Sequence, residues 1–388
     1  MDNNVCYGCG ACEIVCPVKS ITIEYKSGGF LEQNRGASCC SCGLCDKVCP
    51  VIKHVPINKI RKYYAAYSAS YVDRCSSGGV FGCIAESVLE NGGVVYGASF
   101  DNDFCVVHKR VDNISGIMDL CSSKYVKSDL GKDKIFQSVL SDLNDAKVTL
   151  FVGTGCQISG LYNFLSVKNC RNGDLLTTVE IVCHGAPSPT AWEKYKEYLC
   201  RKYQSQISSV NFRDKKYGWH SYSVCIEFEN GKVYRQVMNA DPYMQSYLYG
   251  FNVLEACSTC RYKDEDRIGD ITIGDLWGIH IDELKKYYGK GLSLLTINSE
   301  KGNNLFENIK SNMIKKELNL DQSKIAISNI RGHISPIPKE DKTLFSHMLS
   351  DKGFASAFLF VKHKMKKHYL KNRLKAYIKK MMFYLGRA

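Results

Sequence analysis

The sequence predicts an α/β main domain, a mixed sheet with flanking helices, preceded by a small cysteine-rich α+β domain and followed by a basic helix. Three observations predict this order. Cysteines repeat at fixed spacing near the start, short apolar runs alternate with helical spacing in the middle, and no acidic residue follows Asp351. Such β–α alternation is typical of helices packed on a sheet. The predicted boundaries are 1–55, a linker at 56–62, the main domain at 63–340 and a helical tail at 341–388.

The elements of the two domains follow from apolar periodicity and from turn residues. A strand is predicted at 21–25 in the first domain. In the main domain, strands are predicted at 64–68, 94–98, 148–152, 175–182 and 268–273, helices at 79–90, 158–165 and 189–202, and a hairpin at 223–228 and 232–235.

Eight of the nine cysteines in the first fifty residues form a duplicated motif, C-x2-C-x2-C-x3-C-P, that ends at Cys16-Pro17 and at Cys49-Pro50. Three thiolates at two-residue gaps wrap one cubane, and the fourth binds the neighbouring one. We therefore expect a ferredoxin-like 2[4Fe-4S] domain. Its first thiol set is Cys6, Cys9, Cys12 and Cys49, and its second thiol set is Cys16, Cys39, Cys42 and Cys45.

Zinc is the alternative for this domain, because C-x2-C pairs also occur in zinc ribbons. A zinc ion needs four ligands and gives no reason for a repeated third cysteine followed by a Cys-Pro pair. The pattern therefore favours iron–sulfur clusters. Cys40 lies inside the second motif but off its spacing, and it is not expected to be a ligand.

Composition limits the class of protein further. The chain has twenty cysteines, clustered rather than spread, and neither an export signal nor an apolar run long enough to span a membrane is visible. We expect a cytoplasmic protein whose thiols stay reduced. The net charge is +13, and the stretch from Lys352 onward holds eleven lysines and arginines, so the body is close to neutral and no nucleic-acid partner is expected.

Four further cysteines lie near predicted strand ends, where ligands bind in open α/β sheets. The spacing alone left open whether these residues, Cys156, Cys183, Cys257 and Cys260, bind a further cluster or only pack in the core. Two glycine-rich turns, 76–79 and 153–155, precede helices and suit a phosphate, although glycine there also makes ordinary turns.

Several motifs in their order resemble the coenzyme F420 hydrogenase/dehydrogenase β-subunit family. They are Ser-Ser-Gly-Gly-Val-Phe at 76–81, Gly-Gly-Val-Val-Tyr-Gly at 92–97, Ser-Lys-Tyr-Val at 123–126, Gly-Thr-Gly-Cys-Gln at 153–157, Cys-His-Gly-Ala-Pro-Ser at 183–188, Cys-Ser-Thr-Cys at 257–260 and Gly-Asp-Leu-Trp-Gly at 274–278. The resemblance extends over residues 1–300.

The resemblance implies a third [4Fe-4S] cluster and a bound FAD. The third thiol set is Cys156, Cys183, Cys257 and Cys260. The implied FAD contacts are Ser76, Ser77, Gly78, Gly79, Lys124, Tyr125, Gly153, Thr154 and Gln157. Gly155 departs from the family pattern, which commonly has proline there, and a looser loop is expected.

The expected function is that of a ferredoxin-linked, FAD-dependent oxidoreductase. Clusters carry single electrons, and a flavin stores two for delivery to a substrate. Ferredoxin or another low-potential donor would supply the electrons. The substrate is unidentified. Relatives with such an N-terminal module resemble proteins of surface-polysaccharide synthesis. Nothing selects coenzyme F420, and no catalytic residue is assigned, although His184, His220 and Asp275 lie near the motifs.

Two rivals stay open for the function. One is an electron-transfer subunit that serves a partner oxidoreductase without its own organic substrate. The other is a redox-inert scaffold or sensor whose clusters are structural. The tail is also open between two interpretations: a basic amphipathic helix on an anionic membrane face, or a helix packed on the body or on a partner.

Overall fold

The computed structural model describes residues 6–29, 31–60, 62–332, 334 and 337–384. Leu385 and Arg387, which belong to the predicted tail, lie outside the described residues. The strands are β1 Ile21–Tyr25, β2 Leu31–Arg35, β3 Lys62–Tyr67, β4 Val94–Phe100, β5 Val106–Val111, β6 Thr149–Gly153, β7 Leu176–Ile181, β8 Ile207–Asp214, β9 Ser223–Phe228, β10 Val233–Val237, β11 Ile271–Asp275, β12 Ser293–Ile297 and β13 Ile314–Glu317.

Helices cover much of the remaining chain. They are α1 Ala11–Val15, α2 Leu44–Val48, α3 Val80–Glu90, α4 Ile117–Leu120, α5 Ile135–Asn144, α6 Gly155–Val167, α7 Pro189–Tyr203, α8 Pro242–Leu248, α9 Glu300–Ile309, α10 Leu320–Ile330, α11 Lys339–Lys364 and α12 Lys366–Tyr384.

An eight-stranded mixed sheet forms the centre of the molecule, in the order β13-β3-β12-β11-β7-β6-β4-β5. The four strands β11, β7, β6 and β4 run parallel to one another, and the flanking pairs are antiparallel. The carboxyl ends of β6 and β7 therefore lie at the same edge of the sheet. A separate three-stranded antiparallel sheet is formed by β8, β9 and β10. The predicted fold class, an α/β domain with a mixed sheet, is confirmed.

The N-terminal segment packs on the main sheet through α6. Val48 of α2 and Ile14 of α1 share one apolar cluster with Phe151 of β6 and Phe164 of α6. The Asn163 side chain on α6 also donates to the carbonyl of Lys53, at 2.8 Å. The helix that begins at the end of β6 is therefore the element that holds the cysteine-rich segment in place.

Most predicted elements appear within a few residues of their expected positions, and the hairpin of β9 and β10 is where it was expected. The last predicted strand, 268–273, is shifted, since β11 begins at Ile271. Residues 267–269 lie in a loop instead, because the backbone amides of Ile268 and Gly269 donate to the buried Glu180 carboxylate, at 2.9 and 3.1 Å. The division into domains stays a prediction.

The C-terminal tail consists of two helices with different surroundings. On α11, Phe345, Leu349 and Val361 are buried in the cluster that also holds Trp192 of α7. On α12, Leu374 and Tyr377 are exposed, at 61% and 67%. Among the described residues, no helix is both long and apolar enough to cross a membrane.

Candidate iron–sulfur relay and flavin site

The first thiol set is brought together as its spacing predicts. Burial raises the pKa of the Cys6 thiol, and the nearby Cys49 thiol raises it further. Burial also raises the pKa of Cys12 to about 12, with Cys6 and Cys49 among the contributing neighbours. Such mutual effects require short distances between the groups. Cys49, the last cysteine of the second motif, therefore lies with the first motif, as the crossed pattern requires.

The second thiol set lines a single pocket at the surface. The pocket has an empty volume of about 330 Å³, and Cys16 from the first motif lines it together with Cys39, Cys42 and Cys45. Cys39 and Cys42 are exposed, whereas Cys45 is buried. This is the second half of the crossed arrangement. It places a cysteine-lined pocket where an external redox partner can approach.

The third thiol set is assembled at the carboxyl edge of the parallel strands. Cys156 lies in the first turn of α6, directly after β6, and Cys183 follows β7. The segment that carries Cys257 reaches this edge by pairing with the loop after β7: the Leu254 N–H donates to the Ala186 carbonyl at 3.0 Å. The Ala186 N–H in turn donates to the Cys257 Sγ, at 3.4 Å.

The four thiols of this set are mutual neighbours. Burial, together with the neighbouring Cys257 and Cys156, raises the pKa of Cys183 to about 12. Burial likewise raises the pKa of Cys260, and Cys156, Cys257 and Cys183 each add to the shift. Burial raises the pKa of Cys257, the Ala186 N–H lowers it, and Cys156 raises it. Every pair within the set is therefore close enough for the two charges to interact.

Four neighbouring soft thiols suit iron–sulfur chemistry. Within the described part of the chain, no group of three or more His, Cys, Asp or Glu side chains has the geometry of a single-ion site. A four-iron cubane spaces its ligands more widely, because each thiolate binds a different iron. The binding of a third cluster by these thiols stays a prediction.

A buried lysine faces the third thiol set. The Lys127 Nζ lies 3.5 Å from the Cys156 Sγ, and the residue is 4% exposed. Burial alone would lower the pKa of Lys127, but Cys156, Tyr25, Cys257 and Cys9 raise it above its ordinary value. Lys127 is therefore a cation held against these sulfurs, where it compensates negative charge on thiolates or on a cluster.

The first and third thiol sets lie next to each other across α6. A Cβ on Gly160 of α6 would meet the Cys9 Sγ at 3.0 Å, so the absence of a side chain there lets the first set approach the helix that starts beside Cys156. Burial raises the pKa of Cys9 well above its ordinary value, with Cys156 among the other causes. The Tyr7 and Tyr262 rings also meet edge to face at 5.7 Å.

A buried ion pair supports the third set from below. Arg267 and Glu180 are 1% and 0% exposed, and the Arg267 Nη2 lies 2.6 Å from the Glu180 Oε1. The Arg267 Nη1 also donates to the Tyr262 carbonyl at 2.9 Å. A Cβ on Gly155 would meet the Glu180 Oε1 at 2.5 Å and the Tyr262 Cβ at 2.7 Å. The expectation of a looser loop at Gly155 does not hold, because Gly155 is packed tightly between these groups.

The predicted FAD contacts fall into two groups, and the first joins the turn before α3 to the 122–125 segment. The Ser76 Oγ accepts from the Ser123 N–H at 2.6 Å and lies 3.3 Å from the Ser122 Oγ. The Lys124 Nζ donates to the carbonyls of Asp119 and Cys121, at 2.9 and 2.8 Å, and burial lowers the pKa of Lys124 to about 8.

An arginine connects this first group to the sheet. The Arg213 guanidinium donates to the Tyr125 hydroxyl at 3.1 Å and to the Ser76 carbonyl at 3.1 Å, and it forms two hydrogen bonds with Asp275, at 2.8 and 3.2 Å. Its carbon lies 3.9 Å from the centre of the Tyr222 ring. The Arg213 Nε is buried without a hydrogen-bond partner among the described residues. An orphaned cationic donor beside aromatic rings suits an anionic or aromatic ligand.

Three members of the first group, Ser77, Gly78 and Gly79, make contacts that fix the conformation of the turn before α3. The Ser77 hydroxyl donates to the Leu292 carbonyl at 2.9 Å, and the Gly78 N–H donates to the Ser293 Oγ at 2.9 Å. A Cβ on Gly79, whose φ is +85°, would meet the Val72 N at 2.7 Å. These residues therefore set the conformation that presents Ser76, and their contact with FAD stays a prediction.

The second group, Gly153, Thr154 and Gln157, surrounds Cys156 instead. The Gln157 Oε1 accepts from the Thr154 N–H at 2.9 Å and closes the capping box of α6. A Cβ on Gly153 would meet the Gln157 Oε1 at 3.1 Å. The Thr154 Oγ1 lies 3.2 Å from the Cys156 Sγ. In the structure these three residues fix the loop that carries a thiol of the third set.

Asp275, His184 and His220, which lie near the motifs in the sequence, are linked electrostatically through Asp275 in the structure. Asp275 is bonded to Arg213, and it also acts electrostatically on His184 and on His220. Burial lowers the pKa of both histidines. The Tyr125 and Tyr247 rings are 5.5 Å apart. Tyr125 belongs to the 122–125 segment, which together with the turn at 76–79 forms the predicted flavin segments. The Tyr247 hydroxyl donates to the Gly185 carbonyl at 3.2 Å, so the ring pair connects the flavin segments with the loop after β7.

Sequence reasoning missed the groups that act from outside the motifs. Lys127, Arg213 and Lys215 carry the charge around the two sites, and none belongs to a motif. Lys215 donates to the Ser77 carbonyl at 2.8 Å. Only the position of Lys127, three residues after Lys124, was a signal. Arg213 is the sole basic residue of β8, but nothing in the local sequence relates it to the predicted flavin contacts.

Comparisons with known proteins agree with the motifs. Residues 146–322 match the family model for the C terminus of the coenzyme F420 hydrogenase/dehydrogenase beta subunit. This segment holds the whole third thiol set, and its match agrees with the resemblance that the motifs indicate. The chain is also similar to a chain of the F420-reducing [NiFe] hydrogenase complex from Methanosarcina barkeri, with 15% identity and a TM-score of 0.45 over 71% of this chain and 90% of that chain. No curated protein sequence matches the chain.

Proposed function

We propose that this chain is an iron–sulfur flavoprotein oxidoreductase that carries electrons through three [4Fe-4S] clusters to FAD and on to a substrate. The match of residues 146–322 to a hydrogenase/dehydrogenase family model supports an oxidoreductase role. The observation that carries the proposal is the continuity of the thiol sets. Cys16 and Cys49 are exchanged between the first two sets, and Cys9 lies beside the helix that begins at Cys156.

The order of the sites supports a relay that runs from the surface to the inside of the molecule. Electrons from ferredoxin or another low-potential donor enter at the exposed Cys39 and Cys42, where the second set opens to the surface. They pass through the first set to the third, which lies under Lys127. The rings of Tyr247 and Tyr125 then connect the third set to Arg213 and the flavin segments.

FAD, when bound, supplies the conversion of single electrons into a two-electron transfer. The chain's own groups fit such a ligand at one place. The Arg213 guanidinium with its orphaned Nε, the Ser76 carbonyl and the Tyr125 hydroxyl meet beside the Trp277 and Tyr222 rings. Arg213 binds and orients an anionic group there, and Asp275 holds the guanidinium in position.

An anaerobic reductive titration tests this proposal. The reconstituted full chain should accept about five electrons, one for each of three clusters and two for FAD, with loss of both cluster and flavin absorbance. Uptake of about two electrons without a flavin signal would overturn the third cluster and the flavin together.

A partner-serving role is the second candidate, and the family description as a beta subunit favours it. In this case the chain delivers electrons to a partner oxidoreductase and has no organic substrate. The two roles are separated by supplying reduced ferredoxin to the isolated protein with a small-molecule extract of the source cells. Sustained oxidation of ferredoxin supports the reductase. Oxidation that also requires a protein fraction supports the partner-serving role.

The second tail helix supports a peripheral membrane contact. Leu370, Leu374 and Tyr377 are 58%, 61% and 67% exposed among lysines, whereas Ala376 is buried against the body. An apolar strip flanked by lysines suits an anionic lipid surface. Since Val361 lies in the core, the informative deletion begins after α11. Removal of 366–388 should abolish sedimentation with anionic vesicles, and neutral vesicles serve as the control. Undiminished sedimentation would contradict the proposal.

A further inference from the structure

Two cysteines outside the three thiol sets meet in the core beside the flavin segments. The Cys75 and Cys121 Sγ atoms are 3.2 Å apart, and the residues are 8% and 5% exposed. They are 46 residues apart in the chain. Each of the two is isolated in the sequence, so no local pattern relates them. The fold brings them together, since Cys75 precedes the turn before α3 and Cys121 follows α4.

We propose that Cys75 and Cys121 form a redox-active dithiol that converts to an intramolecular disulfide by exchange with a low-molecular-weight disulfide. The proposal goes beyond the electron relay, because neither cysteine belongs to a cluster set. Their sulfurs are already in contact, so bond formation requires only a small approach of the two side chains.

The surroundings make the two thiols unequal. The neighbouring Cys121 thiol lowers the pKa of Cys75 below its ordinary value, against the effect of burial, and the Lys215 and Lys124 ammonium groups act in the same direction. The contact with Cys75 raises the pKa of Cys121, and burial raises it further. Cys75 is therefore the attacking thiolate and Cys121 the resolving thiol.

The exchange balances in two steps. The Cys75 thiolate attacks one sulfur of the small disulfide, the disulfide bond breaks, and one small thiol leaves while the other half stays bound to Cys75. Cys121 then loses its proton and attacks the Cys75 sulfur, and the second small thiol leaves. The two cysteine sulfurs are oxidised, the small disulfide is reduced, and the two protons end on the two small thiols.

The disulfide would join two segments that already touch. Ser76 follows Cys75 and Ser122 follows Cys121, and the Ser76 Oγ bonds to the Ser123 N–H at 2.6 Å. Because both segments carry predicted flavin contacts, oxidation would fix the spacing of these segments. The pair thus gives this region a response to the thiol–disulfide balance of its surroundings.

Peptide mapping tests the pair directly. Full-length protein, purified with its clusters under anaerobic conditions, is equilibrated with glutathione buffers of increasing oxidised fraction, alkylated and digested with trypsin. Cleavage at Arg74, Lys109, Arg110 and Lys124 gives the peptides 75–109 and 111–124, and Cys121 is the sole cysteine of the second. The linked peptide should appear as both alkylated peptides decline, and dithiothreitol should reverse it.

The variants separate Cys75 from its neighbours on the same peptide. Cys75→Ser and Cys121→Ser should each lower the linked peptide at least tenfold, whereas Cys105→Ser should leave it unchanged. A linked peptide that survives Cys75→Ser would overturn the proposal. Two results with the wild-type protein would also overturn it, and neither depends on the folding of a variant. One is full alkylation of both cysteines in every buffer. The other is a glutathione adduct that never converts to the linked peptide.

Discussion

The second and third thiol sets each consist of four cysteines, but the second set is partly exposed to solvent, whereas no cysteine of the third set is exposed. The second set lines a surface pocket with Cys39 and Cys42 exposed, and its neighbouring ion pair, Arg35–Asp46, is open to solvent. The third set lies at the strand ends of the central sheet, above the buried Arg267–Glu180 pair and against Lys127. In the proposed relay, this difference assigns electron entry to the second set and transfer inside the molecule to the third set.

Removal of one cysteine ligand from either set should have the largest effect, namely loss of the iron bound by that set alone. In Cys156→Ser, one of four thiolates is removed, so about four of twelve iron atoms per chain should be lost. Cys39→Ser should lose a similar amount from the other set. Cys200→Ser, a half-buried cysteine on α7, is the matched control and should keep its iron content. Equal iron in Cys156→Ser and Cys200→Ser would contradict the third site.

The ion pairs beneath the two sets should differ in energy. Arg267→Met leaves the buried Glu180 charge unpaired and should lower the free energy of unfolding by about 3–5 kcal/mol. Arg35→Met, whose pair has side chains 42% and 43% exposed, should cost less than about 1 kcal/mol. Urea denaturation of both variants measures the difference. Similar costs would show that the two sites are equally exposed to solvent.

A buried histidine should make the inner site sensitive to acid. His108 stacks on Phe151 of β6, and its Nδ1 lies 3.0 Å from the Ser128 hydroxyl, which accepts from Gln157. Burial lowers the pKa of His108 to about 4 from 6.5. The unfolded chain therefore binds the proton first, so stability is full above pH 6.5 and is lost as the pH falls towards 4, by about 3 kcal/mol.

The comparison variant for this pH effect is His108→Asn. Between pH 4 and 6.5 its unfolding free energy should fall less steeply than that of the wild type. Replacement of the exposed His347 by glutamine should leave the slope unchanged. Identical slopes for His108→Asn and the wild type would show that His108 titrates normally.

Lys127 should raise the reduction potential of the cluster proposed at the third thiol set. This is the smallest of the four predicted effects. Removing a cation next to Cys156 makes an added electron less stable, so Lys127→Met should lower the reduction potential of one cluster. The shift should be on the order of 100 mV, the equivalent of about 2 kcal/mol for one electron. Lys47→Met, beside the outer set, is the control. An EPR-monitored redox titration reads both, and an unchanged set of potentials in Lys127→Met would contradict the placement.

Local patterns predicted most of the central fold. The apolar runs of β4, β6 and β7 and the Asn230-Gly231 turn between β9 and β10 are signals within the chain itself. The edge strands β5 and β13 were missed, because their lysines and arginines hide the alternation. β11 was misplaced because its start depends on Glu180, which lies on another strand.

The candidate sites were predictable to the extent that their chemistry follows from spacing. The crossed exchange of Cys16 and Cys49 follows from the duplicated motif alone. The contact of Cys75 with Cys121 does not, because no local pattern relates residues on different loops. For the same reason Arg213 and Lys127 could be found only once the strands that carry their partners were placed.

Iron, acid-labile sulfide and flavin analysis of the anaerobically purified chain tests the relay most directly. The account predicts about twelve iron atoms, a similar amount of sulfide and one FAD per chain. About eight iron atoms without flavin would contradict it, since only the two N-terminal clusters would then be present.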